Sequence, residues 1–204
     1  MISTVITTRG MIYAETLLSL KRNGVDLNSL IIVSGLPIPE APNVGFQKAL
    51  DLAPEYILSI EDDMVLPDGA IEAMLKADKA VVAIDYPVAG GWGCSSTKGG
   101  VVQHVGLGCT LIKPNVLKAI GYPYFKTDKS INADNGEVLD IPMKYGGHDI
   151  WFGREVREQG FEMFVVPNME AKHLRCEQVV RNENNNGFYN IYSLPAITNK
   201  QEAQ

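Results

Sequence analysis

The sequence lacks the features that would tie it to a membrane, a disulfide scaffold or a nucleic acid. No run is both long and apolar enough to span a bilayer. No charged N-terminal segment leads into an apolar core, so no secretory signal is read. There are only three cysteines, Cys94, Cys109 and Cys176, and their odd number and wide spacing suit reduced thiols, with no zinc cluster. A cytoplasmic setting is therefore expected, with peripheral association at a membrane left open. No basic stripe offsets the net charge of −6, which argues against a nucleic-acid polymer as partner. A nucleotide stays open, because a bound cation can bridge carboxylates and phosphates. No internal repeat is present.

What remains is ordinary globular composition: 204 residues, 46% hydrophobic and 21% charged, enough for one domain with its own core. The β-branched run Ser3–Thr8 reads as a first strand. Ile12–Arg22 reads as a helix closed by Asn23-Gly24. Leu30–Val33 reads as a second buried strand, Ser34–Pro39 as a loop, and Asn43–Leu52 as a short helix. Tyr56–Ile60 is a third strand, bounded by Pro54 and Pro67, and it runs straight into Glu61-Asp62-Asp63. This alternation predicts an α/β fold with parallel strands and crossover helices.

Further on, Asp68 is placed to cap a helix to about Lys76, and Ala80–Ile84 is a fourth strand. Tyr86–Gly100, with five glycines around Trp92, reads as a long loop over a site or a loose hairpin. Val101–Val105 and Cys109–Ile112 read as strands separated by Gly106–Gly108. Pro114 opens a helix that Gly121 ends. Lys126–Asn135 is polar, Ile150–Gln159 is helical, Phe161–Val166 is a last buried strand, and Asn168–His173 leads out of it. The expected organisation is one domain over residues 1–176 and a polar tail or lid over 177–204.

Four places could carry chemistry. Three carboxylates at a buried strand's end repel one another unless a cation sits between them, and oxygen ligands suit a divalent ion. Alternate residues of an extended segment share a face, so Glu61 and Asp63 would point together and Asp62 elsewhere. A solvated acidic loop is the plainer alternative. Thr7-Thr8-Arg9 could hold a nucleotide, or be an ordinary strand exit. Asp149, after Gly147-His148, could be a general base or a helix cap. His173 could complete a carboxylate set for manganese, with magnesium as the oxygen-rich alternative, or be an ordinary surface residue.

The ordered set of motifs is more specific than any one of them. Asn43–Ala49, Tyr56–Leu58 leading to Glu61-Asp62-Asp63 and Val65-Leu66-Pro67, Gly108–Ile112, Gly147–Phe152, Gly160-Phe161, and Val166-Pro167 leading to His173 follow one another. Together they resemble the GT-A nucleotide-sugar glycosyltransferases, near the broad family 2 type, over about residues 3–175. The resemblance implies a Rossmann-like three-layer sandwich with a mostly parallel mixed central sheet. It implies sugar transfer from a UDP- or GDP-linked donor to an acceptor glycan, lipid-linked sugar or small molecule, with Mn2+ or Mg2+. By the same resemblance Asp63, Glu61 and His173 would hold the metal, and Asp149 would be the base of an inverting transfer. Thr7, Thr8, Arg9, Ser34, Asn43 and Asp62 would meet the nucleotide-sugar. Gly108, Gly147, His148 and Trp151 would lie against donor sugar or acceptor.

The chain also departs from that pattern. Glu61 stands for the usual first Asp, Pro42 where Arg is common, Ser34-Gly35 where an Asp reads uracil, and His148 where Glu precedes the catalytic Asp. The base and the stereochemistry are thereby left open. A catalytically silent nucleotide-sugar-binding module, a sugar-phosphate nucleotidyltransferase and a metal-dependent phosphohydrolase are the rival readings.

Overall fold

A computed structural model describes residues 1–88, 91–94, 99–127, 130–131, 138–139 and 147–174. The first half alternates as its periodicities require: β1 (Ile2–Thr8), α1 (Ala14–Arg22), β2 (Leu30–Ser34), α2 (Glu40–Asp51), β3 (Tyr56–Glu61). Then come a short β4 (Met64–Val65), α3 (Ala70–Ala77), β5 (Val81–Asp85), the hairpin β6 (Pro87–Val88) and β7 (Gly91–Trp92), β8 (Gly100–Val102) and β9 (Cys109–Ile112). They are followed by α4 (Pro114–Ile120), β10 (Ser130–Ile131), β11 (Val138–Leu139), α5 (His148–Glu158), β12 (Met163–Glu170) and β13 (Lys172–His173).

Seven strands form one sheet in the order β2-β1-β3-β9-β5-β12-β8. β1, β2, β3, β5 and β12 run one way, while β9 and β8 run against them. The sheet is thus mixed and mostly parallel, as expected. Apolar side chains leave it on both faces, so both must be covered. Phe46 of α2, Val116 and Leu117 of α4, and Phe152 and Val156 of α5 close one face. Leu20 of α1 and Ile71 and Met74 of α3 close the other, giving three layers. Phe125 sits edge-on to Phe46, with ring centroids 5.1 Å apart, and also packs on Phe152. Full burial of each such ring is worth about 2–3 kcal/mol.

Several sequence expectations need correction. β2 is an edge strand and not a buried one: Val33 packs under α2, while Ile32 on the other side is half exposed. α2 begins at Glu40, three residues early, because Pro42 in a first turn costs no hydrogen bond. Asp68 does not cap α3. Gly69 holds the cap position at φ 77°, and Asp68 instead pairs with Arg22 at 3.0 Å on the surface. Asp149 likewise is not a cap, since α5 starts one residue earlier at His148 behind Gly147. The Val101–Val105 strand shrinks to Gly100–Val102 at the sheet edge. The exit segment after Val166 is a strand: β12 continues to Glu170, and β13 pairs antiparallel with β4.

In the glycine-rich stretch β6 and β7 form a hairpin, while residues 89–90 and 95–98 lie outside the described residues. Within Lys126–Asn135, Ser130–Ile131 pairs with Val138–Leu139, and residues 128–129 and 132–135 lie outside. Cys176 and the tail 177–204 lie outside as well. Cys94 and Cys109 are buried free thiols, and burial raises the pKa of both. Among the described residues no helix is long and apolar enough to cross a membrane.

Candidate metal centre

The parallel strands β1 and β3 end side by side, with Thr7 level with Glu61. β3 stops there because the next two residues, Asp62 and Asp63, turn the chain into β4. Two buried hydroxyls on α1 support that turn from behind. Thr16 Oγ1 donates to the Asp62 carbonyl at 3.1 Å, and Ser19 Oγ accepts the Leu66 N–H at 3.1 Å. The Tyr13 N–H adds a bond to the same Asp62 carbonyl at 2.9 Å. At the front, β13 pairs His173 with Met64, and the Leu174 N–H donates to the Asp63 carbonyl at 3.0 Å. The backbone thereby delivers a histidine from residue 173 to a carboxylate at residue 63.

One ligand atom from each of Glu61, Asp63 and His173 lies within 4.8 Å of the others. An ion with bonds of about 2.1 Å sets its ligand atoms about 3–4 Å apart, so small side-chain movements close the set. The imidazole's polarity is fixed by its other end. His173 Nδ1 lies 2.9 Å from the Pro87 carbonyl, which can only accept, so Nδ1 carries a proton. Nε2 then points at Asp63 Oδ2, 3.2 Å away. A lone pair facing a carboxylate at that distance is unfavourable, so the pair needs either a proton, on the ring or on the carboxyl, or a cation between them. This donor set, one nitrogen and two carboxylates, fits manganese or a similar divalent ion.

Glu61 keeps some exposure, yet its carboxyl is deeply set. Burial, then the charge of Asp63, push its pKa up to about 7; His173 pulls it down, and Asp149 and Asp62 add to the rise. Asp149 projects from the first turn of α5 near enough for its charge to act on both Glu61 and Tyr86. A carboxylate in a first helical turn is also favoured by the helix dipole. The structure therefore brings Glu61, Asp63 and His173 together at the carboxyl ends of the parallel strands, with the charge of Asp149 acting on Glu61 from α5.

Asp62 lies in the turn between Glu61 and Asp63 and is not part of that three-residue set. It is buried, and its Oδ2 accepts the Arg9 N–H at 3.4 Å. Thr8 Oγ1 donates to the Met11 carbonyl and accepts the Gly10 N–H, so its hydroxyl shapes the loop after β1. Ser34 lies level with Thr8 and is exposed, as is Arg9. Gly108 borders the cluster: its carbonyl accepts the Glu61 N–H at 3.3 Å. Gly147 caps α5, and His148 is buried against Phe125, with burial lowering its pKa.

Two residues are placed differently from the sequence expectation. Asn43 is buried, and its amide is fully used. Nδ2 donates to the Pro39 and Phe125 carbonyls, and Oδ1 accepts the Tyr124 and Phe125 N–H groups. It is a clasp between α2 and the segment after α4, with no valence left for a nucleotide. Trp151 lies about 200° around α5 from Asp149 and packs against Lys126 and Arg154, 5.1 and 5.6 Å from its ring centre.

Sequence reasoning misses Thr16, Ser19 and Tyr86. The two hydroxyls lie on a helix whose visible signal is its leucines. Tyr86 follows a buried strand among glycines, a pattern too common to mark a site.

No sequence-family model matches the chain, and no curated protein matches it by sequence. Solved structures do match in fold. A197 from STIV superposes with a TM-score of 0.62 at 18% identity, over 84% of each chain. GalNAc-T7, in a crystal structure with UDP, GalNAc and Mn2+, superposes with a TM-score of 0.58 at 11% identity, over 84% of this chain and 43% of that one. The mannosyltransferase PcManGT from Pyrobaculum calidifontis, in complex with GDP-Man and Mn2+, gives 0.53 at 11% identity, over 88% of this chain and 60% of that one. The present chain thus spans less than two thirds of either glycosyltransferase chain. Its fold is that of the GT-A glycosyltransferases.

Proposed function

We propose that this chain is a metal-dependent glycosyltransferase of the hexosyltransferase type, moving a sugar from a nucleoside diphosphate sugar to an acceptor hydroxyl. The observation that carries the reading is the meeting of Asp63, Glu61 and His173 at the strand ends, with His173 Nε2 3.2 Å from the Asp63 carboxylate. Two glycosyltransferases that share the fold were solved with Mn2+, one with UDP and one with GDP-Man, which supports a nucleotide-sugar donor here.

Glu61, Asp63 and His173 would hold the ion, Mn2+ or Mg2+. When bound, it would offset the negative charge that develops on the leaving diphosphate. Asp149 would accept the proton of the acceptor hydroxyl as that oxygen attacks the anomeric carbon and the bond to the diphosphate oxygen breaks. Attack from the face opposite the leaving group inverts the centre. Thr7, Arg9 and Ser34, at the ends of β1 and β2, would line the nucleotide side, with Thr8 and Asp62 shaping the turn between them. Gly108 and Gly147 would border the sugar.

The test is a panel of UDP- and GDP-sugars incubated with manganese and varied acceptors, read by release of nucleoside diphosphate. Manganese-dependent release that disappears in Asp63→Ala is expected. Release of inorganic phosphate would make the protein a phosphohydrolase. Donor binding with no release would make it a silent binding module.

A further inference from the structure

Tyr86, between β5 and β6, is buried, yet no role above uses it. Its ring fills a slot walled by backbone. A Cβ on Gly93 would stand 2.6 Å from the ring, one on Gly108 2.8 Å from it, and one on Gly106 would overlap the hydroxyl. At Gly93 the three nearest atoms all belong to this ring. Three glycines from two segments thus share one apparent purpose, which is to admit this side chain.

The slot opens on the candidate metal centre. The Tyr86 ring stands edge-on to the His173 imidazole, with centroids 5.7 Å apart at 89°. The next residue, Pro87, supplies the carbonyl that fixes His173 Nδ1. Tyr86 Oη accepts the Gly108 N–H at 3.0 Å, and Gly108 in turn accepts the Glu61 N–H. Two of the three ligand-bearing residues are therefore steadied from this one position. Burial, with the charges of Glu61 and Asp149, keeps the phenol protonated.

We propose that Tyr86 is a positioning residue for the cation site. Its ring sets the direction in which His173 Nε2 points, and its hydroxyl ties the Gly106–Gly108 turn to Glu61. This rests on the reading of Glu61, Asp63 and His173 as metal ligands. Groups that orient metal ligands typically change affinity about 10–100-fold when lost.

The experiment uses the full chain and measures the Mn2+ dissociation constant by calorimetry and the visible band of bound Co2+, which reports ligand arrangement. Asp63→Ala is the control for the site itself. Tyr86→Leu is expected to weaken Mn2+ binding about 10-fold or more and to shift the Co2+ band. Gly93→Ala, whose added Cβ has the Tyr86 ring as its three nearest atoms, should do the same, and the double variant should be no worse than Tyr86→Leu alone. Tyr86→Phe keeps the ring and is expected to lose only about 3–10-fold, with a near-native Co2+ band. If a variant does not melt cooperatively without metal, Tyr86→Phe decides. Native Mn2+ affinity and Co2+ band in Tyr86→Phe and in every other folded variant overturn the proposal. Wild-type protein that binds no ion, or binds equally in Asp63→Ala, overturns the metal reading and this inference with it.

Discussion

Proton competition at Glu61 gives the account its sharpest numerical consequence. Its pKa lies at about 7 in the metal-free fold, against an ordinary value of 4.5. The folded state holds this proton more tightly than the unfolded chain does. Metal-free stability should therefore fall as pH rises from about 4.5 to about 7, by at most about 3 kcal/mol, and should stay level in this respect above 7. Manganese must displace the same proton. A group titrating near 7 is about 3% ionised at pH 5.5 and about 75% ionised at pH 7.5, so affinity should improve about 20–30-fold between them. Calorimetry in two buffers of different ionisation enthalpy should find about 0.8 proton released per ion at pH 6.5. Glu61→Gln removes the titrating group and should flatten the slope. A dissociation constant that does not change with pH, or equal slopes in wild type and Glu61→Gln, would refute the reasoning.

Other positions predict simpler outcomes. Asp149→Asn should leave donor affinity within about twofold while slowing transfer about 10²–10⁴-fold, read by separate calorimetry and single-turnover rates; near-native turnover would reduce Asp149 to a favourable charge in a helical turn. Asn43→Ala breaks four hydrogen bonds, three of them buried, and should cost about 2–4 kcal/mol in urea unfolding with no specific effect on manganese affinity. Asp68→Ala removes an exposed pair with Arg22 and should stay within about 0.5 kcal/mol of wild type.

The sheet was legible in the sequence because β1 is mostly β-branched and β3 and β5 are short, apolar and bounded by turn residues. Edges and caps were less so. Whether Leu30–Val33 is central or at an edge depends on which strands pair with it, and no local pattern carries that. The cap positions at Gly69 and Gly147 turned on left-handed backbone that Asp68 and Asp149 made easy to overlook. At the site, alternation along an extended segment is not what joins Glu61 with Asp63, because Asp62 and Asp63 lie in the turn between β3 and β4. The arrival of His173 beside them could not be read from a local pattern either, because it requires β13 to pair with β4, two strands of two residues each. Asn43 misled for a related reason: a motif asparagine can hold a ligand or a loop, and only its four partners distinguish the two. Tyr86 could not be seen at all, since its slot exists only where glycines far apart in the chain meet.

The most direct test of the central claim is Mn2+ titration of the full chain by calorimetry at pH 7.5, comparing wild type with Asp63→Ala and His173→Ala. One ion per chain in wild type, with both substitutions abolishing its binding while the thermal melt without metal persists, is the predicted result. Unchanged affinity in either folded variant would contradict it.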